Sequence, residues 1–203
     1  QRTGRLPYCK GCCSELFDRL LVEQQDEMKA LYKFCMMLDV YFDKGHYVFD
    51  NALFSYIKDY MGKESTIGLP IGKGCKYYFN GSTLQMDASD SFAKIPSILD
   101  ANDSASDFEL FDAIFINNGG KYCIHDETYG KKASYIHKYH NITLINNGGT
   151  MGYGAGTSYD GTYIFDICTF APGQIVFHAP TNNADNSAIA LDIQLRGCVF
   201  KDY

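Results

Sequence analysis

The chain reads as an α+β protein: a long N-terminal amphipathic helix and a short second helix, followed by an antiparallel β-sandwich or barrel-like head. Three observations predict this. Apolar residues recur at steps of three and four from Phe17 to Phe42, a shorter helical pattern fills 48–61, and beyond it short aromatic and β-branched runs alternate with Asn-Gly and Asp-Gly turns. The expected division is an extended Cys-containing leader at 1–13, a helical region at 14–62 and a β-rich globular domain at 63–203.

The leader holds Gly, Pro, Arg and three cysteines without hydrophobic periodicity, so nothing organises it as a regular element. Ser14 then supplies an N-cap hydroxyl, and Glu15 and Asp18 place negative charge where the helix dipole favours it. Phe17, Leu21, Met28, Leu31, Leu38 and Phe42, interspersed with Gln24 and Cys35, form a seam for burial along one face or against a like helix in an oligomer. Arg19, Glu23, Asp26, Glu27, Lys33 and Lys44 occupy the other face, and Gly45 ends the helix by permitting a left-handed backbone. The second helix carries Phe49, Leu53, Tyr56, Ile57 and Tyr60 at helical spacing and stops at Gly62.

Strands are expected at 76–79 and 83–87, joined as a hairpin by Asn80 and Gly81, then at 110–117, 121–125, 141–146, 162–170, 174–178 and 188–195. The Ser-, Asp- and Ala-rich stretch 89–107 reads as a surface loop, 135–143 as a loop entering a strand, and Gly152 to Gly156 as a flexible connection. Ile-Asn-Asn-Gly-Gly occurs at 116–120 and again at 145–149, each time after an apolar run. Both copies fit strand-exit turns in which Asn and Gly tolerate positive φ, and shared turn chemistry explains them more simply than a duplicated hairpin.

With 203 residues, 46% of them hydrophobic and 21% charged, the chain can fill one sizeable core. Its net charge of -6 and the scattering of its 18 Lys and Arg leave no basic face, so no nucleic-acid partner is expected. The richest apolar stretch, 31–42, is broken by Lys33 and Asp39 and falls short of the roughly 20 residues that span a bilayer, so no membrane insertion is expected. The cysteines are Cys9, Cys12, Cys13, Cys35, Cys75, Cys123, Cys168 and Cys198. Only Cys9 and Cys12 have zinc-couple spacing, which favours a disulfide framework over a metal site and leaves the pairing open. Asn80, Asn102 and Asn141 head N-glycosylation acceptor triplets. These features, and a first residue that is not Met, place the expected protein in a secreted or cell- or particle-surface setting.

The densest polar cluster is His125, Asp126 and Glu127 with His137 and His140. These are metal-ligand types, but their loop-like setting beside Lys131, Lys132 and Lys138 reads as solvated histidines, and no metal is assigned. No Gly-x-Ser-x-Gly elbow is present, the Gly152 to Gly156 run lacks the Lys of a phosphate loop, and nothing singles out a carboxylate pair. No catalytic residue or cofactor is therefore expected. The 16 Tyr and absent Trp, with Tyr129, Tyr135, Tyr139, Tyr153 and Tyr159 near Gly and Asn, suit rigid contacts to a protein or glycan partner. The expectation is a non-enzymatic secreted or surface subunit that forms homo-oligomers or filaments through its helix and β-rich head. The alternative is a receptor- or glycan-binding, adhesin-like module, and the third reading is a secreted hydrolase or metal-binding protein using the His125 to His140 region.

Overall fold

The computed structural model describes residues 8–9, 39–49, 69–70, 74, 76–87, 99–100, 107–120, 122–128, 135–147, 151–157, 161–172, 175–178 and 190–202. The strands in them are β1 (Tyr8–Cys9), β2 (Val40–Tyr41), β3 (His46–Phe49), β4 (Leu69–Pro70), β5 (Lys76–Met86), β6 (Leu99–Asp100), β7 (Phe108–Asn117) and β8 (Tyr122–Thr128). Then come β9 (Tyr135–Asn146), β10 (Met151–Thr157), β11 (Gly161–Asp166), β12 (Thr169–Ala171), β13 (Ile175–His178), β14 (Leu191–Arg196) and β15 (Val199–Phe200).

One sheet runs β1, β2, β5, β7, β9, β11, β14, with β3 beside β5 and β12 between β9 and β15; the second runs β4, β6, β8, β10, β13. From β4 to β14 the chain visits the two sheets in turn, β11 and β12 sharing one visit to the first, and each visit lands one strand further along. Every one of these pairings is parallel, the antiparallel contact being β1 with β2. Parallel neighbours need a crossover, and here each sheet supplies the crossover for the other. The result is a parallel β-solenoid of two facing walls.

This overturns the expected fold class. None of the described residues is helical, and the walls are parallel, not the two antiparallel sheets of a sandwich. Period-two alternation and turn-forming residues are common to both arrangements, so they do not encode strand direction. The end of the predicted long helix is β2, and the start of the predicted second helix is β3. Of the seam residues, Phe42 is buried within the molecule against Phe79 and Tyr47; Phe17, Leu21, Met28, Leu31 and Leu38 lie outside the described residues. β6 lies inside the predicted 89–107 loop, β9 begins at Tyr135 within another, and the Gly152 to Gly156 run is strand β10.

The Asn80 and Gly81 pair also changes meaning: β5 passes through it without reversing. Asn80, Asp112, Asn141, Ile167 and Gly197 all have positive φ, and the register aligns them. Phe111 pairs with His140 and Ala113 with Ile142, which sets Asp112 beside Asn141; Asp166 pairs with His140 and Arg196, which sets Ile167 between Asn141 and Gly197. Left-handed residues, Asn80 with Gly81 in β5 and one residue in each of the later coils, therefore bend the wall into a corner, where Asn and Asp tolerate the conformation best after Gly. It also resets the alternation: His140 faces out, Asn141 is exposed, and Ile142 is buried. The Asn141 amide donates to Asp112 Oδ1 at 2.8 Å, linking two corners of the column.

The Ile-Asn-Asn starts of the two repeated segments, 116–118 and 145–147, occupy the same place in successive coils, Asn117 pairing with Asn146 at a separation of 29 residues. Asn117 is buried and fully engaged: Nδ2 donates to Gly120 O at 2.6 Å and to Asn146 Oδ1 at 2.9 Å, while Oδ1 accepts from Gly120 N at 2.7 Å. Inside, like positions stack along the solenoid. Tyr77, Leu110, Tyr139, Phe165 and Leu195 form one row and Leu84, Phe115, Leu144, Phe170 and Phe200 another. The Tyr139 and Phe165 rings lie 4.8 Å apart at 8°, at the spacing of neighbouring strands.

Candidate functional site

Strand β9 sends successive polar side chains to opposite sides of the wall. His137 and Tyr139 point inward and are buried, whereas Lys138 and His140 face outward and are partly exposed. Opposite them, β8 delivers Asp126 from the second sheet. Asp126 Oδ2 lies 2.7 Å from His137 Nδ1 and accepts from the Tyr139 hydroxyl at 2.6 Å. His137 packs between Phe108, 4.0 Å away centroid to centroid, and Tyr135 at 4.5 Å, and its Nε2 has no hydrogen-bond partner. The Tyr135 and Tyr163 hydroxyls meet at 2.8 Å beside it. Burial first, then the Asp126 charge and Tyr135, push the Tyr163 hydroxyl far above its usual range, so it stays protonated. Asp126, His137 and the Tyr135 ring have essentially no solvent exposure. This cluster links the two sheets across the core and offers no approach for a substrate.

The outer face of the same wall carries a second constellation. His140 lies between two carboxylates, Nε2 at 3.2 Å from Glu109 Oε2 and Nδ1 at 3.2 Å from Asp166 Oδ2. Lys76 and Lys138 stand 3.4 and 3.5 Å from Glu109, and Arg196 stands 3.6 Å from Asp166. Burial alone would raise the Glu109 carboxyl, but the Lys138 and Lys76 charges and its hydrogen bonds to His140 and Lys76 leave it below the ordinary carboxylate range. Along the next coils the row continues as Phe111, Tyr78 and Tyr41, stacked at 4.6, 4.8 and 4.7 Å. The stripe thus runs from flat π-faces to paired charges of both signs.

No family model, curated protein or solved structure matches this chain.

That geometry separates residues which the sequence groups together. His137 is inside the wall and His140 outside, so they share no face, and neither is a loop residue. The side chains of His125 and Glu127 lie outside the described residues. Among the described residues no group of three His, Cys, Asp or Glu side chains could hold a metal ion. Tyr135 and Tyr139, expected on a contact surface, are in the core; the side chains of Tyr129, Tyr153 and Tyr159 are outside the described residues.

The expected disulfide framework is corrected where the chain is described: Cys123, Cys168 and Cys198 are free thiols. Each is held by backbone carbonyls, Cys168 Sγ donating to Tyr139 O at 3.3 Å and Cys198 Sγ to Phe165 O at 3.2 Å. Burial pushes the Cys123 thiol up, and it pushes Cys168 up to about 12, with Cys198 and Asp166 adding and a backbone hydrogen bond at Ile142 opposing. Both thiols are poor nucleophiles in the folded protein. The side chains of Cys9, Cys12, Cys13, Cys35 and Cys75 lie outside the described residues, as does Asn102. Asn80 and Asn141 are exposed on the corner column.

Glu109 and Asp166 are the residues that sequence reasoning missed. The signal for them was the pattern Tyr-Ile-His-Lys-Tyr-His at 135–140, an aromatic-in, polar-out strand whose parallel neighbours must supply the outer partners.

Proposed function

We propose that this chain is a non-enzymatic structural subunit of a secreted or surface assembly, and that it associates with its own kind through an exposed apolar patch on β14 and β15. That patch carries the reading. Ile193 and Leu195 continue the inward rows of Tyr163 and Phe165, yet they are 42% and 47% exposed, and Val199 and Phe200 past the corner are 47% and 48% exposed. Among the described residues, β14 pairs with β11 on one side and with nothing on the other. A contiguous exposed apolar patch is what soluble monomers avoid and what association covers. The exposure of Asn80 and Asn141 agrees with a glycosylated surface setting.

A second reading, a receptor- or glycan-binding module, draws on the outer stripe of Tyr41, Tyr78, Phe111 and His140, whose stacked faces suit a sugar ring or a flat peptide. The hydrolase reading has less support, since His137 and His140 serve different sides of the wall. The deciding measurement is native mass by light scattering across a range of concentrations. A discrete oligomer supports the assembly reading; a monomer at every concentration overturns it and passes the weight to the outer stripe.

A further inference from the structure

We infer that Asn80 is a glycan acceptor open only while the chain is folding, because docking of 42–49 against β5 draws the hydroxyl of its own acceptor triplet, Ser82, into the core. The inference rests on the secreted or surface part of the reading above, and adds a site, its chemistry and the stage at which it is used.

An Asn-x-Ser triplet acts through two groups at once. The Asn side-chain nitrogen attacks the anomeric carbon of a lipid-pyrophosphate oligosaccharide. A C–N bond forms, the C–O bond to the pyrophosphate breaks and its electron pair leaves with the lipid pyrophosphate, and the nitrogen's proton passes to a carboxylate of the transferase. The transferase grips the triplet by the hydroxyl two residues on, which must be able to reach the enzyme.

In the folded chain the first group is presented and the second is withdrawn. Asn80 is exposed on the corner with φ 54°, and Gly81 beside it is exposed too. Ser82 has no solvent exposure; its Oγ donates to Asp43 O at 3.1 Å and accepts from Gly45 N at 3.2 Å. Directly after it, Thr83 N donates to Gly45 O at 2.9 Å. On the other side of Asn80, Phe79 is fully buried, its ring 4.5 Å from that of Phe42. The triplet is thus pinned at both ends, and lifting it toward an enzyme would expose Phe79 and break both bonds of Ser82 together. The partners of Ser82 lie 37 and 39 residues away in the chain, so the hydroxyl stays accessible until 42–49 docks.

Asn141 is the internal comparison. It stands on the same column with φ 51°, but the hydroxyl residue of its triplet, Thr143, is only half-buried. Its wall neighbours are β7 and β12, so a change in 42–49 acts on Asn80 and spares Asn141.

The test uses the full chain made by cell-free translation. A purified oligosaccharyltransferase and a lipid-pyrophosphate oligosaccharide are added either during synthesis or after folding is complete, and occupancy of each triplet is read by peptide mass. Asn80 should be modified in the first arm and at least about tenfold less in the second, where the triplet opens only by local unfolding. Phe42→Ala, which loosens 42–49, should restore transfer to Asn80 after folding and leave Asn141 unchanged. Tyr47→Phe, which removes the hydroxyl that donates to Asp43 O at 2.6 Å, makes the same comparison if Phe42→Ala does not fold. Equal occupancy of Asn80 in the two arms, no transfer to it in either, or a variant that raises Asn80 and Asn141 alike overturns the inference. Transfer in vitro needs no secretory setting, so a chain that behaves as expected there but carries no glycan when recovered from its native source overturns the secreted reading and leaves the acceptor assignment standing.

Discussion

Asp126 holds both His137 and Tyr139 with a single carboxylate oxygen, at 2.7 and 2.6 Å, in a place water does not reach. Replacing it by Ala strands two buried polar groups, which should cost about 3 kcal/mol or more, whereas Asp126→Asn keeps an acceptor and should cost less. Urea midpoints of the two variants check this; equal midpoints would mean that the cluster does not join the sheets. Glu109 makes the opposite kind of prediction. Its folded-state pKa lies below the unfolded value, so its contribution is present above the ordinary carboxylate range and is lost as the pH falls through the depressed value. The stability gap between wild type and Glu109→Gln should therefore shrink between about pH 6 and pH 3, and shrink further in salt because the site is partly exposed. At this scale the sequence was legible in part. It drew attention to Asp126, His137 and His140, but side-chain direction depends on strand phase, and reading 135–143 as a loop erased that phase.

The corner column supplies the test at the scale of the element. Ile167 occupies a left-handed position, φ 56°, that its neighbours fill with Asn, Asp and Gly, and it is 67% exposed, so it gains little from burial. A β-branched residue there stores about 1–2 kcal/mol, and Ile167→Asn should recover roughly half of it, raising Tm by about 2–4 °C in a scanning calorimeter. Gly161 is constrained for a different reason: it has no need of positive φ, but a methyl on it would overlap the Tyr135 ring that lies across it. Gly161→Ala should lower stability by about 1–3 kcal/mol by displacing Tyr135 from the Tyr163 hydroxyl, as denaturant unfolding would show. Many strands were legible, because runs such as 110–117 and 141–146 alternate clearly. The bends were not: Asn80 with Gly81 is the strongest short hairpin signal, and only the neighbouring coil shows that it turns a corner without reversing.

Across the whole molecule, β7 and β9 are flanked on both sides by long strands, while β2, β3 and β14 lie at the margins. Amide hydrogen exchange should therefore be slowest in β7 and β9 and quicken toward both ends. Dilution to the monomer should release β14 further and leave β7 unchanged; β14 amides insensitive to dilution would count against that strand as the contact. Strand direction stayed hidden in the sequence because a parallel coil and an antiparallel hairpin share their periodicity. The 29-residue interval between the two Ile-Asn-Asn-Gly-Gly copies was its visible trace, and two short copies did not identify a coil.

The aligned corners also decide where the chain tolerates changes of length. Phe108 stands opposite His137, Tyr135 opposite Gly161, and Gly161 opposite Leu191, at unequal intervals, so the wall accepts connections of different size as long as each strand arrives in phase. A residue added between Thr128 and Tyr135 lies outside β8 and β9 and leaves the registers of both strands as they are. The same residue added between Tyr139 and Asn141 moves the bend out of line with Asp112 and Ile167, or else turns Tyr135, His137 and Tyr139 out to solvent and brings Lys138 into the core. Natural variation in this protein should accordingly collect in the connections, and gains or losses inside the walls should come as whole coils.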